Sequence, residues 1–208
     1  DVTVHMVENA KYYDRDGIYM YPDDAERFIF FCRAALESLK RMDWSPDIIH
    51  CHDWHTGIVP NWLKTLYADN PFFAETATVY TFHGLTYQGI FGYRVLEIAG
   101  IDEYGFIYHP EMADLSEVVD LMGRGIYFAD MISTVSEQYA REVLRPEYGE
   151  RLDPILRERA DRLVGILNGI DYETMNPATD PYLAVHYDLE RLDQRVANKL
   201  ALQREAGL

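Results

Sequence analysis

The sequence predicts an α/β fold, a three-layer Rossmann-like parallel sheet with helices on both faces. Three observations predict it. Short apolar or β-branched runs (DII, ATVYTF, MISTV, RLVGIL) alternate with helical patterns, as in parallel sheets built by crossover helices. Polar clusters follow the strand-like runs, and in such sheets ligands bind beyond the carboxyl ends of the strands. No repeat, low-complexity segment or long linker interrupts residues 1–208, so one domain is expected.

In order along the chain, DVTVHMVEN alternates apolar and polar residues and predicts a half-buried strand. KYYDRDGIYMYPDD reads as a packed, tyrosine-rich loop. A helix follows, with Asp23 as N-cap and Glu26 three residues on in a capping-box pattern. Phe28, Phe31, Ala35 and Leu39 mark its apolar face up to about Met42. DIIHC predicts a short buried strand, and TGIVPNWLKTLYA a helix with Pro60 tolerated in the first turn. ATVYTFH predicts another strand. Residues 92–112 read as irregular with short helical turns. DLSEVVDLMGRGIYFAD predicts a helix interrupted by two glycines. MISTVS predicts a strand, and Ser136 caps the helix EQYAREVL. DPILRERA predicts a short helix, and RLVGILNGID a strand followed by an Asn-Gly turn. An amphipathic helix is expected from Leu189, ending at Gly207 as its C′ residue.

The chain has 208 residues, 48% hydrophobic and 13% aromatic, which suffices for a substantial core. The formal net charge of −16 argues against nucleic acid or an anionic membrane surface as partner, since both need clustered Lys and Arg. No run reaches the ~20 apolar residues of a membrane span. Cys32 and Cys51 are the only cysteines, which suits a reducing, cytoplasmic compartment. The sequence does not open on Met, and its first run reads as a strand already under way. A fragment is therefore expected, whose open sheet edge favours self-association.

The stretch PDIIHCHDWHTG concentrates His50, His52, Asp53 and His55. Three readings compete. A metal site would need H-x-H-x-D-H, and here the aspartate stands one place early. Core and capping roles are a second reading, with Asp53 before a helix. The third is an organic-substrate site of His52, Asp53 and Trp54, where a carboxylate accepts from sugar hydroxyls and an indole packs on C–H faces. His83 ends a strand, and Gly84 and Gly89 allow the backbone to turn there and approach a ligand. His83 is either satisfied within that turn or a partner for a substrate hydroxyl or phosphate. Asn168-Gly169 taken alone is a turn signal. GRG at 123–125 is no dinucleotide fingerprint, no P-loop is present, and Ser136 lacks the nucleophile elbow.

In sequence order, YYDRDGIYMYPDDAERFIFFCRAALE, PDIIHCHDWHTGIVPNWLK, TFHGLTYQGIF, GIYFADMISTVSEQYAREV and ILNGIDYETMNPATD resemble the bacterial glycogen synthase and plant starch synthase family. The resemblance covers nearly the whole chain. It implies one half of a GT-B fold, the acceptor-side domain. It also implies a parent enzyme that transfers glucose, with retention, from ADP-glucose or UDP-glucose to the non-reducing end of an α-1,4-glucan. No metal or other cofactor is implied; the nucleotide sugar is a substrate. Asp53 and His83 are the implied catalytic-site residues, with His83 positioning the sugar rather than acting as a base. Trp54, His52, Gly84, Tyr87, Gln88 and Asn168 are the implied substrate-binding set. Gly84 replaces the family's usual asparagine, and Gly123 stands where a lysine is usual, with Arg124 beside it. The family's K-T-G-G-L donor loop is expected upstream of Asp1. Its nucleotide-binding domain is expected beyond Leu208, with 189–208 leading toward it, so the isolated chain is expected to be inactive. A non-catalytic glucan-binding domain and another GT-B transferase, such as a sucrose-type synthase, are the alternative readings.

Overall fold

A computed structural model describes residues 2–115 and 118–208. It divides into two compact units, residues 1–167 and 168–208.

In the first unit a short helix, α1 (Ala10–Tyr13), precedes the long helix α2 (Asp24–Arg41). Strand β1 (Ile48–His52) runs into α3 (Asp53–Thr56) and α4 (Ile58–Lys64). Then come β2 (Ala77–Phe82), the two-residue β3 (Ile90–Phe91), α5 (Arg94–Ala99), β4 (Val119–Asp120) and α6 (Leu121–Phe128). Strand β5 (Met131–Thr134), α7 (Glu137–Glu142), α8 (Asp153–Glu158) and β6 (Leu163–Gly165) complete it. Strands β1, β2, β5 and β6 form one parallel sheet in the order β1-β2-β5-β6, and β3 pairs antiparallel with β4. The expected α/β class with a parallel sheet is what is seen.

Several local expectations are corrected. Residues 2–9 form no strand; Val2, Val4 and Met6 are largely exposed. Alternation alone makes no strand where no neighbouring strand supplies the ladder. Strand β1 lies at the sheet edge and is mostly exposed rather than buried. The predicted helix over 114–130 begins later: Val119–Asp120 is extended in β4, and α6 then runs through both glycines; positions 116–117 lie outside the described residues. Those glycines permit close packing. A Cβ on Gly125 would stand 2.4 Å from the Tyr80 ring. Asn168-Gly169 forms no turn.

The capping box is also absent. Asp23 makes no cap bond; it pairs with Arg15, while Glu26 pairs with Lys11 and Tyr12. Asp24 takes over the end of the preceding loop. Its Oδ2 accepts from the Met20 and Tyr21 N–H groups at 2.8 and 3.2 Å, and its Oδ1 meets Arg27 Nη1 at 2.5 Å. Arg27 also donates to the carbonyls of Tyr12 and Ile18. A buried ion pair with its remaining valences filled pins the loop it touches. The buried stripe of α2 is Ala25, Ile29, Cys32 and Leu36, rotated from the expected one. Phe28 and Leu39 pack only partly, and Phe31 is exposed. Both stripes are apolar, and the tertiary contacts select between them.

Ser136 caps α7 as expected, accepting from the Tyr139 N–H. In the second unit, a 3₁₀ turn over Leu189–Gln194 leads into α9 (Arg195–Glu205). Gly207 follows with φ +73°, the expected left-handed C′ position.

Candidate active site

The parallel pairing of β1 and β2 sets His52 opposite Thr81, so both strands end side by side. Immediately after β1 the chain turns into α3. Asp53 makes that turn with φ +51°, a conformation uncommon for a residue with a Cβ. The turn aims its carboxylate across the gap: Oδ1 accepts the backbone N–H of His83 at 2.9 Å. His52 Nδ1 and His83 Nε2 are 3.2 Å apart. Two neighbouring strand ends are thus joined once through backbone and once through rings. The Thr56 hydroxyl holds the backbone of His52 on both sides, accepting its N–H at 2.6 Å and donating to its C=O at 2.7 Å.

This corner borders an open cavity of about 640 Å³ lined by Tyr19, Met20, Asp24, Asp53, Trp54, His55, His83, Gly84, Thr86 and Tyr87. The sequence shows Tyr19 and Met20 only as part of a tyrosine-rich loop. Met20 has φ +76°, held there by its N–H bond to Asp24. The readable signal for these residues was the acid–Arg spacing of Asp24 and Arg27 at the start of α2.

The expected site residues divide into two groups. Asp53, His83, Gly84 and Tyr87 line the cavity, and Tyr87 is 80% exposed. A Cβ on Gly84 would meet nothing within 4 Å, so a larger residue fits there without cost. Trp54 borders the cavity too but is only 9% exposed. Its indole packs edge-on with Phe28 and lies against Phe91 and Gly89. Gly89 is the residue that needs to be glycine: its φ is +68°, and a Cβ would stand 2.6 Å from the indole. Gln88 is buried, and its Nε2 donates to the carbonyls of Leu85 and Glu150 at 3.0 and 2.7 Å. The carbonyls of Gln88 and Gly89 accept from the first N–H groups of α6. Asn168 is exposed and opens the second unit.

The histidines differ in surroundings. Burial lowers the His52 pKa, and the neighbouring His50 and His83 lower it further, against a smaller opposing pull from Asp53. Burial likewise lowers that of His55, whose ring lies among Tyr19, Phe28 and Trp54. Among the described residues, no group of three or more His, Cys, Asp or Glu side chains converges to hold a metal ion. No helix among them is long and apolar enough to cross a membrane. The arrangement offers hydrogen-bonding groups and aromatic edges around an open cavity, which suits a polyhydroxylated ligand.

The family model for the starch synthase catalytic domain matches residues 1–158. The glycogen synthase of Moorella thermoacetica is 51% identical over 207 residues, covering 100% of this chain and 42% of that protein. Those of Desulforudis audaxviator and Thermotoga maritima are 48% and 46% identical, again covering 100% of this chain and 41% and 42% of theirs. The chain therefore spans about two fifths of the length of the curated relatives it matches. Among solved structures, the catalytic domain of starch synthase IV from Arabidopsis thaliana, bound to ADP and acarbose, superposes with a TM-score of 0.75. It is 34% identical, over 96% of this chain and 41% of that one. At 34% identity and this TM-score the likeness extends to sequence as well as fold, and the parallel sheet described above is consistent with one half of a GT-B enzyme. With the family model covering most of its length, the chain belongs to the starch synthase catalytic domain family.

Proposed function

We propose that this chain forms the acceptor-side wall of a retaining glucosyltransferase. The whole enzyme would move glucose from ADP-glucose or UDP-glucose to the non-reducing end of an α-1,4-glucan, in the cytoplasm and without a metal. The observation that carries the reading is the Asp53–His83 link at the edge of an open cavity. The glycogen synthase relatives and the ADP bound to the starch synthase neighbour support the donor and acceptor classes.

Breaking the donor bond builds positive character on the glucose ring and negative charge on the leaving diphosphate. His83, fixed through its backbone by Asp53, would hold a hydroxyl of the transferred sugar, so that its orientation is set before the bond breaks. Trp54 supports the floor from below, and Tyr87 and Tyr19 offer ring faces to an acceptor chain. Strand β1 pairs on one side only among the described residues, and the isolated chain is expected to self-associate through it.

The test is transfer by the full-length enzyme from ADP-glucose and UDP-glucose to a malto-oligosaccharide. Asp53→Ala and His83→Ala are expected to lower the rate on the order of a hundredfold while circular dichroism stays parental. Near-parental rates in both variants would overturn the assignment. The isolated chain is expected to transfer nothing.

A further inference from the structure

We propose that His52 is a positioning residue: its Nδ1, paired with His83 Nε2, selects the tautomer of His83. It thereby decides whether the remaining ring nitrogen of His83 donates to or accepts from a ligand hydroxyl. The inference rests on the glucosyltransferase reading for its consequence in turnover, and on geometry for the tautomer itself.

His50 and His52 lie two residues apart on β1 and so on the same face of the strand. A ladder across three strands anchors the first ring. Ser133 Oγ lies 2.5 Å from Thr81 Oγ1, which lies 2.7 Å from His50 Nε2. The His50 ring stacks on His52 with centroids 4.2 Å apart and planes inclined by 33°. His52 in turn meets His83, with nitrogens 3.2 Å apart and planes inclined by 35°. With its backbone clasped by Thr56 and its ring held by His50, His52 presents Nδ1 in one place.

Two neutral imidazoles in this contact share one hydrogen: one nitrogen donates and the other accepts. If His52 donates, His83 carries its own hydrogen on Nδ1 and can donate to a sugar oxygen. If His83 donates, its Nδ1 is left as an acceptor. Two doubly protonated rings would set N–H against N–H and break the contact. The groups facing His52 are His50 on β1, His83 after β2 and Asp53 at the start of α3. Partial burial and the two neighbouring rings outweigh Asp53, so His52 stays neutral to lower pH than an ordinary histidine. Asp53 is further committed, since its Oδ1 takes the His83 N–H.

Imidazole nitrogen NMR of the chain reads the tautomer without turnover. The parent is expected to show one His83 tautomer. His52→Leu is expected to show shifts averaged between two. His52→Asn, whose side-chain amide falls near the Nδ1 position, is expected to restore a single one. An unchanged His83 spectrum in His52→Leu, or an averaged one in the parent, overturns the proposal. In the full-length enzyme, His52→Leu is expected to lower kcat on the order of tenfold with KM for the glucan little changed. His52→Asn is expected to recover most of that loss and to weaken the acid limb of the pH–rate profile. Equal losses in both variants with a parental pH profile also overturn it. A parent enzyme that transfers no glucose would overturn the glucosyltransferase reading instead, and the NMR result would still decide the tautomer.

Discussion

Two polar clusters of the first unit use similar chemistry for opposite ends. At the cavity rim, His52 and Asp53 each bond to His83, and Asp53 and His83 still face open space. At the start of α6, Asp120 caps the Gly123 N–H at 2.8 Å. Arg124 reaches Asn61 Oδ1 at 2.8 Å and the Gly105 carbonyl at 2.6 Å. This second cluster is sealed. Burial pushes the Asp120 carboxyl up to about 7 and brings the Arg124 guanidinium down to about 10. Among the described residues, Asp120 Oδ2 has no hydrogen-bond partner. Polar groups that solvent can reach remain usable for a ligand; those cut off from it become part of the scaffold and carry its costs.

The sharpest way to break this comparison is at the seam where α6 meets α3 and α4. A Cβ on Gly57 would stand 2.0 Å from the Leu121 carbonyl oxygen. Because backbone cannot swing aside, Gly57→Ala is expected to cost about 4 kcal/mol in urea denaturation, more than ordinary overpacking. A parental midpoint would show that the start of α6 is not the scaffold described.

Next in size is a pH effect. Asp120 binds its proton more tightly folded, near 7, than unfolded, near 3.8. Its contribution to stability is therefore complete below 3.8 and is lost as pH rises through about 7. Asp120→Asn keeps a capping oxygen and removes the charge. It is expected to be more stable than the parent by up to about 4 kcal/mol above about pH 8, with the gain vanishing in acid. Equal stabilities across the range would mean that the carboxyl is not sealed.

The smallest effects come from adjacent residues of one loop. Gln88→Ala removes two bonds to backbone carbonyls and is expected to cost about 1–2 kcal/mol. Tyr87→Ala, on an exposed ring, is expected to stay within about 0.5 kcal/mol of the parent. If the two variants denature alike, the division of the 83–89 loop into anchor and rim fails.

Much of the architecture was legible because it is local. The strands at 48–52, 77–82, 131–134 and 163–165 follow from short apolar and β-branched runs. The Ser136 cap and the Gly207 terminus follow from side chains that act within one turn. The placement of His83 and Asp53 at strand ends was legible too. The roles within the YQG stretch were not, because Tyr87 and Gln88 differ in what the rest of the chain brings over them.

Local periodicity and side-chain type by themselves determined the α/β alternation, the four strands of the parallel sheet and the polar residues Asp53, His83 and Ser136 that follow three of them. The tertiary structure alone decided which apolar stripe of α2 is buried, that Asp24 rather than Asp23 anchors the preceding loop, and that the alternating run at 2–9 makes no strand. It also decided that Asp53 and His52 converge on His83 from a strand away. The reason is physical. Propensity acts over a turn or a few residues, whereas burial, strand pairing and proton sharing depend on partners about 30 residues distant in sequence, which only the folded sheet brings within bonding range.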